Sequence, residues 1–411
     1  MPTLVFDVRA NHDTGVSRYG LSVLAATAPL LAEAGWRLLV VARPVQAERA
    51  RAAVDSLGVQ VVCGPNEEGF VRRTPWLRRL LSDSGTDLYY TSHYTVDREC
   101  PVPFVFTVHD LTRLRFPELS YTDASFAEGF GDGELDLVRE EVAALSAWDQ
   151  PREGEEAFTR YFRALNRHLA GRAERVVTVS RSTTSDVQAL LGVDPSRLSL
   201  VPCGVDTGLF HRCDAATVQR ARVAHCLAGP YLIFVGLTHP NKRFLWLVEQ
   251  LLPARHRFPA GARLVAVGGH AEQVPQVNRL LTRHGAEDFV VFTGRVSDAD
   301  LAALYSGAAA LVTASVNEGN NLPPLEAMAC GCQVIATDIP PLRETLGDAA
   351  TFYNPTSGAQ LAALAADALT GHLPDRARAF RPPTWPEAGR RLFHTLSTAA
   401  QDVDQARRIR A

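Results

Sequence analysis

Short apolar runs, rich in β-branched and aromatic residues, alternate with longer amphipathic segments along most of the 411-residue chain. Strands that are buried on both faces of a parallel sheet form such continuous apolar runs, and helical crossovers separate them. The pattern therefore predicts an α/β protein with parallel sheets. The predicted strands are residues 3–8, 37–42, 59–64, 87–92, 104–109, 175–180 and 198–203, followed by 231–236, 263–268, 289–294, 310–315 and 333–338.

The strand pattern lapses over residues 206–229, between the seventh and the eighth predicted strand. Two doubly wound domains that join near residue 205 are the simplest account of this gap. Neither half carries a GxGxxG motif after a strand, so the sequence does not support a standard NAD site.

Residues 118–156 differ in charge from the rest of the chain. They contain twelve acidic residues and two arginines, a net charge of −10 in a chain whose overall net charge is −3. Glycine-rich pieces and a weak strand signal indicate an insertion in the first domain, and such a charge run is usually a solvated loop. The alternative is electrostatic steering of a cationic acceptor, such as an aminocyclitol or an aminoglycoside. The apolar spacing of residues 155–173 predicts a helix.

The composition argues against a membrane-spanning, a secreted or a nucleic-acid-binding protein. No apolar run has the length of a membrane span, and the N-terminus lacks the pattern of a signal peptide. Seven scattered cysteines predict reduced thiols in a cytoplasmic protein, and the net charge gives no nucleic-acid footprint. Residues 70–81 combine four arginines with apolar residues, where an ordinary surface helix is favoured over docking on a membrane.

The clearest candidate site follows the strand predicted at residues 310–315. A Gly/Asn loop that contains Glu318 comes next, and two prolines at residues 323–324 start a helix. Ligands of open α/β sheets bind at the carboxyl ends of the strands. The free amides of Asn321 and Leu322, together with the helix dipole, therefore predict an anion site.

Two glutamates lie on either side of this predicted anion site, Glu318 and Glu326, eight positions apart. One carboxylate can accept hydrogen bonds from a vicinal diol such as ribose, and the other from hydroxyls of a transferred sugar. This layout suits a sugar nucleotide whose phosphates occupy the anion site. For Glu326 the alternative is a helix glutamate that only complements the helix dipole.

The pattern E-G-x-x-L-P-x-L-E-A-M-A-x-G of residues 318–331 closely resembles the E-x7-E signature of retaining GT-B glycosyltransferases of family 4 (glycosyl transferases group 1). Further segments resemble that family in the same order along the chain: residues 12–20, 106–118, 176–187, 200–210 and 380–396. The resemblance implies a GT-B fold, in which two Rossmann-like doubly wound domains face a central cleft. Residues 1–205 and a C-terminal helix of about residues 384–411 would form the acceptor-side domain, and residues 206–383 the domain that binds the nucleotide sugar.

The chain has a single lysine, Lys242, among its 42 lysine and arginine residues. The resemblance implies that Lys242 binds the donor diphosphate, because the family has a lysine after the first strand of its second domain. A compact ammonium with three rotatable donors can lie against two phosphates and stabilise a leaving group. A leftover surface lysine at a helix start is the alternative.

By resemblance, His109, Lys242 and Glu318 have catalytic roles. The residues implied to bind the donor are Gly15, Val16, Gly236, Lys242, Arg243, Arg295, Val296, Glu318, Gly319, Asn320, Asn321, Leu322 and Glu326. Those implied on the acceptor side are Thr14, Ser17, Arg18, Tyr19 and Asp110. We interpret Asp110 as a helix cap or as a residue that orients His109, rather than as a base.

The resemblance implies transfer of a hexose from a UDP- or GDP-linked donor to a hydroxyl of a small-molecule or glycan acceptor, with retention of the anomeric configuration. A β-phosphate oxygen then acts as the base for that hydroxyl. We expect no cofactor and no metal, because Lys242 and the helix N-terminus carry the diphosphate. Asp298 and Asp300 form a DxD sequence, but this segment predicts a helix start capped by Ser297.

Two departures from the family pattern leave other functions open. Leu237 and Asn241 occupy positions at which many members have an arginine, and Arg243 is a candidate substitute. Asn320 and Asn321 replace an aromatic residue and a glycine, although asparagine adopts the left-handed conformation more readily than most residues. A GT-B sugar-nucleotide epimerase and a non-catalytic sugar-nucleotide-binding protein are the alternatives.

Overall fold

The computed structural model describes residues 1–9, 15–65, 74–94, 96–236, 240–268 and 274–410. The chain divides into two compact units, one formed by Met1–Gly204 with Trp385–Ala411 and the other by Val205–Thr384. Each unit contains one parallel β-sheet, with helices in most connections between consecutive strands. The predicted fold class is thereby confirmed.

The sheet of the first unit has seven strands in the described part of the chain. They are β1 (Thr3–Asp7), β2 (Arg37–Ala42), β3 (Gln60–Cys63), β4 (Leu88–Thr91), β5 (Phe104–Val108), β6 (Arg175–Thr178) and β7 (Leu198–Leu200). Their order is β3-β2-β1-β4-β5-β6-β7, and all neighbouring pairs are parallel. The helices of this region are α1 (Gly15–Glu33), α2 (Ala47–Val54), α3 (Pro75–Asp83), α4 (Thr112–Arg115), α5 (Asp123–Phe130), α6 (Asp132–Ala144), α7 (Ala157–Arg172) and α8 (Arg181–Leu191).

The sheet of the second unit has six strands among the described residues. They are β8 (Tyr231–Val235), β9 (Arg263–Val267), β10 (Val290–Gly294), β11 (Ala310–Val312), β12 (Val334–Thr337) and β13 (Thr351–Tyr353). Their order is β10-β9-β8-β11-β12-β13, again with parallel neighbours. The helices are α9 (Ala215–Ala224), α10 (Phe244–Leu251), α11 (Val274–Arg283), α12 (Asp298–Gly307), α13 (Leu322–Ala329), α14 (Pro340–Leu346) and α15 (Gly358–Leu369).

The last helix, α16 (Trp385–Arg410), belongs to the first unit and packs against α1. The two backbones approach closely at Gly389, where a Cβ atom would lie 2.6 Å from the carbonyl oxygen of Ala26. Because only glycine leaves room for this approach, Gly389 fixes the point at which the two helices cross.

All twelve predicted strands are present, with ends that differ by at most three residues. Strands β1 and β5 are buried at every position, as expected for the interior of a parallel sheet with helices on both faces. Only β13 was not predicted, because its three residues are too few to show a period.

The prediction of a solvated loop in residues 118–156 is wrong. Two helices form there, α5 and α6, and their apolar residues belong to the core of the first unit. Leu135, Val138 and Val142 are buried on α6, and their spacing of three and four positions places them on one helix face. The helix predicted over residues 155–173 is confirmed as α7.

Several acids of this helical insertion form ion pairs, either within the insertion or with α7. Asp149 accepts from Arg160 and Arg163, and Arg163 also pairs with Glu155. Asp123 pairs with Arg139, with 3.0 Å between the nitrogen and the oxygen. Part of the negative charge therefore stabilises the insertion itself.

Helix α3 covers the described part of the basic amphipathic segment at residues 70–81, of which residues 70–73 lie outside the described chain. Leu77 and Leu81 are buried in the core of the first unit, and Trp76 and Leu80 pack against that core. The apolar face of α3 is thus covered by protein, as an ordinary surface helix requires. A search of the described residues finds no helix that is long and apolar enough to cross a membrane.

Candidate active site

The strand order of the second unit reverses between β8 and β11, which are neighbours in the sheet although three helices and two strands separate them in sequence. Such a switch point opens a crevice at the carboxyl ends of the two strands, because the following connections leave to opposite faces of the sheet. Residues 240–243, which lead into α10, and residues 313–321, between β11 and α13, meet at this point.

Three consecutive residues attach the first loop to the second. The side-chain amide of Asn241 donates to the carbonyl oxygen of Asn317 at 2.9 Å, and the carbonyl of Asn241 accepts from Val316 N–H at 3.0 Å. Arg243 Nε donates to the carbonyl oxygen of Ala314 at 2.8 Å. Because these bonds flank Lys242 on both sides, the backbone of Lys242 is fixed against the loop after β11.

The Lys242 ammonium lies at the centre of this arrangement. Its Nζ donates to Oε1 of Glu318 at 2.6 Å and to Oδ1 of Asn321 at 3.0 Å. The aliphatic stem passes over Gly236, where a Cβ atom would lie 3.5 Å from Cε of Lys242. Gly236 has φ +105°, a conformation that residues with a side chain rarely adopt, so the turn of the chain after β8 requires glycine here.

Glu318 is held in place by a second donor, since the hydroxyl of Ser315 donates to Oε1 at 2.6 Å. The Lys242 and Glu318 side chains are only 14% and 8% exposed. Within the described part of the chain, both hydrogen bonds to Glu318 go to Oε1, and two of the three ammonium N–H bonds of Lys242 have acceptors. Oε2 and the third N–H are therefore available to a ligand.

Helix α13 starts at the same place, with Asn321 as its N-cap residue. Asn321 has φ 64° and ψ 81°, so the left-handed conformation expected of this asparagine is confirmed. The free amides and the dipole at the start of α13 favour an anion near Lys242. Glu326 is 4% exposed on the first turns of this helix.

The other residues predicted to bind the donor in this unit lie at the carboxyl-end edge of the sheet. They are Gly236 after β8, Arg295 and Val296 after β10, Gly319 and Asn320 in the loop after β11, and Leu322 as the first residue of α13. Parallel strands end at one edge, so the fold gathers these residues as expected. Their roles in donor binding stay predictions.

The position of Arg243 does not support its predicted role in donor binding. Besides the bond to Ala314, its Nη2 donates to the carbonyl oxygen of Pro355 at 2.7 Å, and its guanidinium lies 4.2 Å from the ring centre of Trp246. These contacts direct the guanidinium group of Arg243 to backbone carbonyls of the protein. Arg243 therefore ties the ends of three strand connections together, which is a structural task.

In the first unit, His109 follows β5. Its Nε2 lies 2.8 Å from the carbonyl oxygen of Ser92, and the Tyr19 ring packs edge-on at 5.0 Å between ring centres. A carbonyl accepts a proton, so Nε2 carries the hydrogen and Nδ1 is left as an acceptor. Burial lowers the pKa of His109, which keeps the ring neutral at pH 7.

The predicted acceptor-side residues of the first unit lie in different surroundings. Thr14 lies outside the described residues. Gly15, predicted to bind the donor through its amide, opens α1 together with Val16 and Arg18 in the first turn, where N–H groups lack intrahelical acceptors.

Ser17 and Tyr19 are both fully buried and bind partners inside the first unit. Ser17 accepts from the Gln46 amide at 2.9 Å, and the Tyr19 hydroxyl donates to the carbonyl oxygen of Val201 at 3.4 Å. Neither side chain is directed to an acceptor. Asp110 accepts from the N–H of Thr112, the first residue of α4, at 2.9 Å, although the N-cap residue of that helix is Leu111.

The DxD sequence belongs to a helix start, as predicted. Ser297 caps α12 by accepting from the N–H of Asp300, and Asp300 lies 2.9 Å from Nε2 of His225. A search of the described residues finds no group of three or more His, Cys, Asp or Glu arranged to hold a metal ion.

Sequence reasoning missed two residues of this site, Ser315 and Asn317. Ser315 holds Glu318, and the carbonyl of Asn317 receives Asn241. The Ser-x-x-Glu spacing of 315 and 318 is a local signal that could have indicated the first contact. The second is a contact between loops 76 positions apart, for which a single sequence gives no signal.

Curated relatives share the sequence at low identity. The O-antigen chain mannosyltransferase RfbU of Salmonella typhimurium is 28% identical over 195 residues, which cover 47% of this chain and 51% of RfbU. The chain thus matches about half of the length of that relative. A D-inositol 3-phosphate glycosyltransferase of Frankia alni is 28% identical over 346 residues, 77% of each chain.

Solved structures share the fold. HepE from Anabaena, crystallised in complex with UDP and glucose, has a TM-score of 0.63 at 16% identity over 99% of both chains. Two family models match the chain, Glycosyltransferase Family 4 over residues 22–209 and Glycosyl transferases group 1 over residues 229–370. The chain therefore belongs to the family 4 glycosyltransferases, or glycosyl transferases group 1, and has their GT-B fold.

Proposed function

We propose that this protein is a cytoplasmic, retaining glycosyltransferase that moves a hexose from a UDP- or GDP-linked donor to an acceptor hydroxyl. The observation that carries the proposal is the position of the single lysine. Lys242 lies at the switch point of the second sheet, beside the start of α13, and keeps one N–H free of the described residues. An ammonium and a helix N-terminus together provide what a diphosphate requires.

The polar groups around Lys242 suit the breaking of a glycosidic bond to phosphate. Negative charge grows on the β-phosphate as the sugar leaves, and a preorganised ammonium stabilises that charge. Oε2 of Glu318 accepts a hydrogen bond from a hydroxyl of the donor, and Glu326 accepts from another. Ser315 holds Glu318 for this task.

In this proposal the acceptor hydroxyl attacks from the side of the leaving group, and a β-phosphate oxygen takes its proton. Retention of configuration follows from that geometry. For His109 the proposal keeps the role toward the donor sugar that the family resemblance implies. No metal is required, because Lys242 supplies the positive charge that the diphosphate needs.

The relatives favour a hexose donor without deciding the base. RfbU is named a mannosyltransferase, and HepE was crystallised with UDP and glucose. For the acceptor, a cationic aminocyclitol or aminoglycoside stays a candidate on the strength of the exposed acids Asp132 and Asp136 in the helical insertion. The ion pairs that acids of the insertion form within it and with α7 reduce the charge that is left for steering.

The test is a screen of UDP-, GDP- and dTDP-sugars by thermal shift, followed by NMR detection of slow hydrolysis and transfer. We expect one sugar nucleotide to raise the melting temperature, to hydrolyse slowly alone and to yield a product that retains the anomeric configuration of the donor. Release of an epimerised donor without any acceptor would indicate an epimerase. Binding without any turnover would indicate a non-catalytic sugar-nucleotide-binding protein.

A further inference from the structure

One of the two acceptors of the Lys242 ammonium comes from a position at which a side chain is costly. Asn321 has φ 64°, in the left-handed region that glycine enters freely and that costs other residues steric strain, asparagine less than most. Its Oδ1 accepts from Nζ of Lys242 at 3.0 Å. The chain therefore keeps a strained side chain where it contacts the ammonium.

The usual reason for an asparagine at this point does not apply. Asn321 is the N-cap residue of α13, and an N-cap side chain normally accepts from the N–H of the second or third helical residue. Those residues are Pro323 and Pro324, which have no N–H. The side chain does not cap the helix.

The surroundings leave a defined task for the Asn321 oxygen. Hydrogen bonds of Asn241 and Arg243 fix the backbone of Lys242, so the remaining freedom lies in its four-carbon side chain. Glu318 binds one N–H of the ammonium, which still allows rotation about that bond. A second acceptor stops the rotation and sets the direction of the third N–H.

We propose that Asn321 is a positioning residue, whose amide oxygen aims the free N–H of Lys242 at the diphosphate of a bound nucleotide sugar. The proposal rests on the proposed function, because it assigns the ammonium to a diphosphate. A neutral amide suits this task better than a second carboxylate, since it orients the ammonium without adding negative charge beside the phosphates.

The first test replaces Asn321 with glycine and measures the binding of UDP and of GDP by calorimetry. Asn321→Gly relieves the backbone strain and removes the acceptor, so we expect a melting temperature at least equal to wild type together with about tenfold weaker binding. Cys226→Gly is the matched control, because Cys226 is exposed, has φ 55° and makes no contact with Lys242. This control should relieve strain without changing the affinity.

A double-mutant cycle shows whether Asn321 acts through Lys242. In a Lys242→Ala background, Asn321→Gly should have no further effect on binding, because no ammonium is left to position. Asn321→Asp supplies a second carboxylate and should weaken binding more than Asn321→Gly does. Equal effects of Asn321→Gly in both backgrounds would show that the residue acts through the loop and would overturn the proposal.

The results also separate this proposal from the proposed function. If wild type binds UDP or GDP, Lys242→Ala weakens that binding and Asn321→Gly binds like wild type, only the role of Asn321 is wrong. If wild type binds neither nucleotide, the proposed function fails and the role of Asn321 fails with it.

Discussion

The two units contain sheets with the same order at their centres, since β1 and β4 in the first unit correspond to β8 and β11 in the second. Each switch point carries an ion pair, but the two pairs differ in kind. In the first unit Asp7 and Arg9 are two positions apart and form three hydrogen bonds between their side chains, with the shortest at 2.7 Å. The Tyr89 hydroxyl donates to the same carboxylate at 2.7 Å.

In the second unit the pair joins two connections that are 76 positions apart in sequence, at Lys242 and Glu318. Asp7 is fully buried and bound by a fork and a hydroxyl, whereas Glu318 receives both of its described hydrogen bonds on a single oxygen. The ion pair at this sheet edge is thus buried and stabilises the fold in the first unit. In the second unit the pair keeps polar atoms that have no partner among the described residues. Loops, and not the sheet, decide which of these outcomes a switch point has.

The largest expected effect is a loss of activity on changing the Lys242–Glu318 pair of the second unit. Lys242→Ala should lower transfer from the sugar nucleotide identified in the screen by about 10²–10³-fold, because a preorganised charge at the leaving group is lost. Lys242→Arg should not restore the rate, since a planar fork cannot replace the ammonium between Glu318 and Asn321. Arg343→Ala, which removes an exposed cation of the same unit, is the control and should keep full activity.

Changes to the Asp7–Arg9 pair of the first unit should lower the stability of the protein instead. Asp7→Asn removes a buried carboxylate that binds the Arg9 guanidinium and the Tyr89 hydroxyl, and we expect the unfolding free energy of the first unit to fall by about 3–5 kcal/mol. Urea unfolding followed by fluorescence measures this change. Asp402→Asn neutralises a half-exposed carboxylate that pairs with Arg175 in the same unit and should change the unfolding free energy by less than about 1 kcal/mol. A similar loss in both variants would remove the distinction between the two switch points.

Glu318→Gln tests the comparison of the two ion pairs further, because it removes the charge of the side chain and keeps its shape. We expect transfer to fall by about tenfold, as a charge-assisted hydrogen bond to the sugar is replaced by a neutral one. The affinity for UDP or GDP should not fall, since the glutamine no longer competes with the diphosphate for Lys242. Weaker nucleotide binding with unchanged transfer would contradict the assignment of Glu318 to the sugar.

The sequence predicted the sheets well because buried parallel strands have a local signature, as in LVF of β1 or FVFTV of β5. The helices of the acidic insertion were missed for a physical reason. The apolar positions Leu135, Val138 and Val142 have helical spacing, but the acids between them dominate the composition. Charge content alone therefore does not separate a loop from a helix that packs with one face.

The sequence predicted which residues belong to the candidate site, but it did not predict the contacts between them. Lys242 was noticed as the single lysine and received its role from the family resemblance, and Glu318 was identified from the loop after a strand. The bond from Lys242 to Asn321 spans 79 positions. The contacts of Arg243 were missed for the same reason, because its acceptors Ala314 and Pro355 are distant in sequence.

A smaller effect on the unfolding free energy is expected from the titration of His109, which follows β5 in the first unit. Burial lowers the pKa of His109 in the folded state, whereas an unfolded histidine titrates at about 6.5. Between these two pKa values the unfolded chain binds more protons, so stability is present above about pH 6.5 and is lost as the pH falls. Wild type should therefore lose more unfolding free energy between pH 7.5 and 5.5 than His109→Gln does. The exposed His394→Gln variant should behave like wild type.

The smallest expected effect concerns the helical insertion, whose charge is partly used in its own ion pairs. Neutralising Asp132, Glu134 and Asp136 together should raise the KM for a cationic aminocyclitol by about two- to threefold at low salt, because the field at the approaching acceptor becomes less negative. At about 0.15 M salt the effect should vanish, since charges more than about 8 Å apart are screened.

Two controls decide whether steering is the cause. The KM for a neutral inositol should not change, because a neutral acceptor gains nothing from the field of the insertion. Neutralising the exposed acids Glu33, Glu48 and Asp83 on other helices of the first unit removes the same net charge at a different place and should leave both KM values unchanged. If all variants raise the cationic KM equally, net charge is responsible and the insertion has no special role. If the cationic KM does not change at low salt, the insertion serves the fold of the first unit alone.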